Sequence, residues 1–98
     1  MDKKSYLIRA IYVWCIDNDS SPYILSLIEG KTLIPESLSG SKEIVLNLSP
    51  QSIQNLYIDE EGISFKGRFN GKLFNIFLPL SSVLGIYAKE SGDGIFFN

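Results

Sequence analysis

The chain of 98 residues has no histidine and only one cysteine. Without histidine it lacks the usual general base near neutral pH, the partner that activates serine and cysteine nucleophiles, and the commonest metal ligand. One cysteine cannot form an internal disulfide or build a cysteine-based zinc site. These absences predict a protein that is not an enzyme and that carries no metal or cofactor.

The net charge is small, and the sequence has no long apolar run. Nine Lys and Arg residues stand against eleven Asp and Glu residues, for a formal net charge of −2, whereas a general nucleic-acid binder normally has a basic surface. No run approaches the roughly 20 apolar residues of a membrane span. The run over residues 6–16 is interrupted by Arg9 and lacks a small-residue cleavage signal, so no signal peptide is expected. We therefore expect no membrane partner and a cytoplasmic location.

Carboxylates are present, but their positions do not indicate catalysis. Asp59, Glu60 and Glu61 fall together on a turn, and Asp17 and Asp19 flank the end of the first apolar segment. Glycosidase-type catalysis needs two carboxylates across a cleft with separated pKa values, and this pattern shows no such pair. We interpret these groups as solvated surface charges.

The residues that are present favour a folded, mainly β domain. Hydrophobic residues make up 45% of the chain and aromatic residues 12%, enough for a core, and the length suits one domain over residues 1–98. Beyond residue 22, short segments of strand character are separated by turn signals. The clearest signal is Asn70-Gly71 between two such segments, since this pair favours a type I′ hairpin turn. About seven strands predict a small barrel or sandwich of antiparallel strands with one N-terminal helix.

The N-terminal helix, which Asp2 or Ser5 is positioned to cap, is unusually apolar. At about 100° per residue its large side chains divide between two sides: Leu7, Ile11 and Trp14 on one, and Ile8, Tyr12 and Ile16 on the other. Either the helix is buried between the sheet and its own loops, or its second side packs on a partner chain. The pattern leaves both explanations open. Cys15 lies within this helix and is expected to be a small buried hydrophobe.

A candidate binding surface lies on the segment over residues 63–69. Gly67 interrupts it, which is typical either of a tight bend or of close approach by a second backbone. Arg68 is available to a carboxylate or a main-chain carbonyl of an extended peptide. Strict alternation places Gly67 and Arg68 on opposite faces, so one groove can use both only at an exposed edge or bend.

In its order of segments the chain resembles the stringent starvation protein B (SspB) family. The matching segments are residues 6–10, Trp14, Asp17-Asn18, Pro22, residues 44–47, Asn55-Leu56, residues 65–71, residues 78–80, Val83-Leu84, residues 86–90 and Gly92. No segment is a catalytic motif, but together they cover nearly the whole chain.

This resemblance implies an Sm-like barrel that acts as an adaptor for the ATP-dependent protease ClpXP. Members bind the ssrA tag at the C-terminus of products from stalled ribosomes and deliver those products for degradation. The resemblance assigns peptide binding to Leu46, Asn47, Phe65, Gly67, Arg68 and Phe69. It makes the helix a homodimer interface, through Leu7, Ile8, Ile11, Tyr12 and Cys15.

The chain departs from the family pattern in two places. Gly67 stands where alanine is expected, which predicts a change in tag preference and not a loss of binding. Family members usually continue into a flexible acidic tail that docks on ClpX, whereas the sequence ends at Asn98. A domain without that tether is expected to bind substrate yet deliver it inefficiently, because the tether raises the effective concentration at ClpX.

An RNA-binding barrel of the Sm type is the alternative function. Beyond Lys66, Arg68 and Lys72 the sequence shows no basic stripe, and its net charge is −2. Both features argue against RNA as the main partner, because phosphate binding depends on a basic surface.

Overall fold

The computed structural model describes residues 3–98, and over them it has one α-helix and seven β-strands. The elements are α1 (Lys3–Asp17), β1 (Pro22–Leu27), β2 (Glu43–Asn47), β3 (Ile53–Ile58), β4 (Gly62–Phe69), β5 (Lys72–Pro79), β6 (Val83–Ala88) and β7 (Gly94–Phe96). Short 3₁₀ turns occupy Glu36–Leu38 and Leu80–Ser82. The predicted mainly β class with one N-terminal helix is confirmed.

The strands form two antiparallel sheets. One has four strands in the order β2-β1-β6-β7, and the other has three in the order β3-β4-β5. Within residues 3–98 the sheets do not close into one barrel, so the sandwich is the correct alternative. Consecutive strands β2 and β3 lie in different sheets because a turn over residues 49–52 carries the chain between them. That turn has Pro50 at its second position, where proline is favoured, and is closed by Ser52 N donating to Ser49 O at 2.8 Å.

The predicted hairpin joins β4 and β5. Eight residue pairs run from Gly62↔Pro79 to Phe69↔Lys72 without a break in register. Asn70 and Gly71 both have positive φ, at 52° and 79°, as a type I′ turn requires. The Asn70-Gly71 prediction is therefore confirmed.

Between β1 and β2 the described chain forms one isolated bridge and no further strand. Leu33 forms an isolated bridge with Phe77 through two backbone hydrogen bonds of 2.8 and 2.9 Å. Pro35, which has no N–H to donate, follows almost at once and precedes the 3₁₀ turn.

The core lies between the sheets and beneath α1. Its buried members are Ile8, Ile24, Leu46, Leu48, Ile63, Phe65, Ile76, Leu78, Leu80, Val83 and Ile86. Alternation along the strands sends these side chains inward, and burying each large one stabilises the fold by roughly 1.5–3 kcal/mol relative to exposure.

Only one side of α1 packs on the sheets. Ile8 and Cys15 are fully buried, and Ile11 and Tyr12 pack partly against the core. The other side leaves five large apolar residues 36–54% exposed: Tyr6, Leu7, Val13, Trp14 and Ile16. Burial between the sheet and the helix's own loops therefore explains only the side of α1 that carries Ile8 and Cys15. No helix over residues 3–98 is long and apolar enough to cross a membrane.

The ends of α1 differ from the predicted ends. Ser5 is buried inside the helix, so it is not the N-cap, and Asp2 lies outside the described residues. At the C-terminal end Ser20 N donates to Cys15 O at 2.8 Å, and Asp19 adopts a left-handed φ of 55°. Asp tolerates this conformation better than most residues, which suits it to ending a helix.

Candidate functional site

A groove opens at one end of the molecule, where the edge of the four-stranded sheet meets the end of β4. Its volume is about 200 Å³. Nine residues line this groove: Val45, Leu46, Asn47, Ser52, Ile53, Phe65, Gly67, Arg68 and Phe69. All six residues assigned to peptide binding in the sequence are among them, so the structure brings them together.

The groove exists because β4 extends two residues beyond its pairing with β3. The first residue pair of β3 with β4 is Ile53↔Gly67, whereas β5 pairs with β4 as far as Phe69. Arg68 and Phe69 therefore have a neighbouring strand on one side only. This exposed end is what allows Gly67 and Arg68, which point to opposite faces, to border one groove.

The opposite wall is β2, an edge strand of its sheet. Its ladder with β1 is bracketed by Leu48 N donating to Pro22 O and Ile28 N donating to Lys42 O, each at 2.8 Å. In an antiparallel ladder, residues alternate between facing the partner strand and facing away from it. The N–H and C=O groups of Val45 and Asn47 therefore point away from β1, towards the groove.

The floor of the groove is apolar. Leu46 and Phe65 are 6% and 3% exposed, and the Phe69 ring is held by an edge-on contact with Phe74 at a centroid distance of 6.1 Å. Gly67 lies between the two groove phenylalanines. A Cβ atom there would be 3.2 Å from Phe69 Cε2 and 3.7 Å from Phe65 Cε2, so the missing side chain leaves room above the floor.

Asn47 supports the groove through its side chain. Its Oδ1 accepts a hydrogen bond from Ser49 N at 2.9 Å, and its Nδ2 donates to Ser52 Oγ at 3.3 Å. Both bonds hold the turn over residues 49–52, which carries Ser52 and Ile53 to the groove. The main chain of Asn47, and not its amide, faces the groove.

Arg68 supplies the charge. It is the one ionisable residue lining the groove, it is exposed, and its guanidinium has no hydrogen-bond or ion-pair partner within residues 3–98. An unpaired guanidinium above an apolar floor suits a carboxylate or a main-chain carbonyl.

Three groove residues were missed in the sequence: Val45, Ser52 and Ile53. Val45 alternates with Leu46 along β2 and points to the other face, but an edge strand gives both faces access to a groove. Ser52 and Ile53 follow the Pro50 turn, and that turn was the available signal that the chain reverses beside β2.

Two kinds of chemical group bear on covalent or metal chemistry: the thiol of Cys15 and clusters of carboxylates. Cys15 is buried, and desolvation, followed by the negative charge of Glu90, raises the pKa of its thiol. It is therefore the neutral, buried side chain expected from the sequence. Within residues 3–98 no group of three or more Asp, Glu or Cys residues is placed to hold a metal ion.

The residues assigned to a dimer interface are divided between the two sides of α1. Ile8 and Cys15 have no exposed surface, Ile11 and Tyr12 are half-buried, and Leu7 is exposed. Burial raises the pKa of the Tyr12 hydroxyl. A partner on this helix would meet Leu7 together with the other exposed apolar residues, chiefly Trp14.

Comparison with known proteins gives a consistent result. A family model described as "Stringent starvation protein B" matches residues 2–98. The chain is 37% identical, over 98 residues, to the "Stringent starvation protein B homolog" of Haemophilus influenzae. That alignment covers 97% of this chain and 64% of the relative, so the chain spans less than two thirds of the relative's length.

Proposed function

Because the chain belongs to the stringent starvation protein B family, we propose that it is a non-catalytic adaptor that binds ssrA-type tag peptides and delivers tagged proteins to ClpXP. The observation that carries this proposal is the groove itself. Six residues that the family resemblance assigns to peptide binding line one groove beside an edge strand.

The tag binds as an extended chain along β2. The outward backbone groups of Val45 and Asn47 form main-chain hydrogen bonds with it, as in other peptides that add a strand to a sheet edge. Alternate tag side chains point down to Leu46 and Phe65 or out to solvent. Arg68 binds a carboxylate or a carbonyl of the tag.

The adaptor is a cytoplasmic homodimer. The exposed apolar side of α1, centred on Leu7 and Trp14, packs on the same side of a second copy, because a contiguous apolar surface of this kind is unfavourable in water. Each subunit holds one tag. Delivery belongs to the whole protein and depends on a flexible tail that docks on ClpX and raises the local concentration of substrate there.

Fluorescence anisotropy with a fluorescein-labelled ssrA peptide tests tag binding. The chain is expected to bind the peptide saturably, and Arg68→Ala is expected to weaken binding about tenfold, or ~1.4 kcal/mol, because a charge-assisted contact is lost. Lys31→Ala removes an exposed positive charge outside the groove and serves as the control, with affinity unchanged.

Thermal melts show whether each protein is folded. If the folded chain does not bind the peptide, or if Arg68→Ala and Lys31→Ala have equal effects, the proposed function is wrong. The dimer is tested separately by light scattering at micromolar concentration, where a monomer contradicts it. Trp14→Glu is expected to give that monomer without loss of tag binding.

A further inference from the structure

A second, polar pocket lies where the end of α1 meets the turn over residues 49–52. Its volume is about 240 Å³, and its polar lining residues are Asp19, Ser20, Ser21, Ser49 and Gln51. We call it the serine pocket. None of these residues belongs to the groove, and the proposed tag binding in the groove does not use them.

One hydroxyl of this pocket lacks a partner. Ser49 is 2% exposed, and its Oγ makes no hydrogen bond, which is true of no other buried side-chain oxygen or nitrogen within residues 3–98. A buried hydroxyl without a partner is costly, so such groups are normally satisfied by a neighbour or by a bound molecule. Ser49 also lines the serine pocket, although its Oγ is closed to solvent, so a ligand bound there would satisfy this hydroxyl by turning the Ser49 side chain outwards.

The one ionisable side chain that lines the serine pocket is acidic. Asp19 contributes a carboxylate, and the pocket lining contains no Lys or Arg. The carbonyl end of α1 adds partial negative charge. Glu90 lies directly behind, with its carboxylate accepting hydrogen bonds from Ser21 N and Ser21 Oγ, each at 2.8 Å. These bonds lower the pKa of Glu90, so it stays ionised. A positively charged hydrogen-bond donor is the complementary ligand.

A smaller hollow lies between the serine pocket and the groove. Gln51 borders both the pocket and this hollow of about 100 Å³, and the hollow shares Ser52, Ile53, Gly67 and Arg68 with the groove. Asn47 links the two sites mechanically, because its side chain holds the turn that forms one wall of each. A chain that leaves the groove across this turn arrives at the pocket.

We propose that the serine pocket binds the ammonium or guanidinium group of a Lys or Arg side chain in the polypeptide whose tag occupies the groove. The assignment of this cation to a tagged polypeptide rests on the proposed function. The site thus extends recognition beyond the apolar floor and Arg68, and favours substrates with a basic residue at one position next to the groove-bound segment.

Nitrogen–proton correlation spectra of the full chain test the pocket without any tag. N-acetyl-lysine methylamide is expected to shift the amide signals of Ser20, Ser49 and Gln51 saturably, whereas the neutral N-acetyl-norleucine methylamide leaves them in place. Equal shifts with both probes, or none with either, would overturn the cation site.

Tag peptides test the occupant. In a series in which each position at and around the tag in turn carries Lys or norleucine, one position is expected to favour Lys about fivefold to tenfold in affinity. Asp19→Asn, which tolerates the left-handed φ of residue 19, and Ser49→Ala should both abolish this preference. Ser49→Ala is also expected to leave the melting temperature unchanged or higher, because it removes the unpaired hydroxyl.

Matched controls separate the outcomes. Asp93→Asn makes the same charge change on an exposed turn, and Ser81→Ala removes an exposed hydroxyl, so both should keep the Lys preference. If tag peptides bind but Lys and norleucine are equal at every position, the proposed occupant is wrong. If no tag peptide binds while the lysine probe still shifts the pocket signals, the proposed function fails and the cation site stands.

Discussion

The two ends of β4 differ although they belong to one strand. At its beginning Ile63 and Ser64 pair with β3 on one side and β5 on the other, and Ile63 is fully buried. At its end Arg68 and Phe69 pair with β5 alone, and Arg68 is exposed. The first end supplies core contacts, and the second supplies an open edge and an unpaired charge.

The difference shows how one strand can serve the core at one end and present an open edge at the other. An unpaired strand end promotes aggregation, because its free backbone N–H and C=O groups can pair with another chain. It is also what an extended peptide needs. Substitutions at the first end of β4 should therefore change the free energy of unfolding, and substitutions at the second should chiefly change binding.

Gly62→Ala, at the first end of β4, is expected to have the largest effect on stability. A Cβ atom at Gly62 would lie 2.1 Å from Leu78 O, and φ is 153°. A backbone oxygen cannot move aside as a flexible side chain does, so we expect a loss of about 3 kcal/mol or more in the free energy of unfolding. Chemical denaturation measures the loss.

Gly40→Ala is the control for this change, because a Cβ atom at Gly40 meets nothing within 4 Å. Its free energy of unfolding should change by less than about 0.5 kcal/mol. If Gly62→Ala proves as stable as Gly40→Ala, the core end of β4 is not tightly constrained and the contrast between the two ends is lost.

Asn70→Ala, in the turn that closes the second end, is expected to have an intermediate effect. Asn70 has a φ of 52°, and a left-handed conformation costs alanine roughly 1 kcal/mol more than asparagine. Amide exchange of Gly67 and Phe69 should accelerate more than that of Ile63, because these N–H groups all bond to β5 and the hairpin opens from its turn. Asn75→Ala, an exposed change on β5, is the control. Uniform acceleration along β4 would mean that the strand opens as one unit.

The features that could be predicted are those set by neighbours in the chain. Asn70-Gly71 identified the hairpin because the required φ values belong to those two residues. Burial of Cys15 followed from its apolar surroundings in the helix. The groove residues came from the family resemblance, and their assembly depended only on two strands that the alternation pattern had located.

The features that could not be predicted depend on contacts between distant segments. Whether the strands form one barrel or two sheets is decided by which edges meet, and the turn at Pro50 sets this. Val45 reaches the groove only because β2 has no second neighbour. The serine pocket joins Asp19 to Ser49, and no local pattern relates the end of a helix to a turn thirty residues later.

Gly67→Ala, at the second end of β4, is expected to have the smallest effect on stability. The nearest atom to an added Cβ is Phe69 Cε2 at 3.2 Å, the end of a ring that can shift by a few tenths of an ångström. The free energy of unfolding should therefore change by less than about 1 kcal/mol. The added methyl instead enters the groove between two aromatic rings, where the proposed tag would meet it. We expect it to change the rank order of tag peptides that differ at one apolar position, each by less than about tenfold in Kd.

Anisotropy across such a series measures this order, and Gly67→Val, with a larger side chain, should weaken binding of every peptide. If Gly67→Ala destabilises the protein as much as Gly62→Ala while leaving the peptide order intact, Gly67 serves the fold and not the groove, and the division of β4 into a structural end and a binding end is wrong.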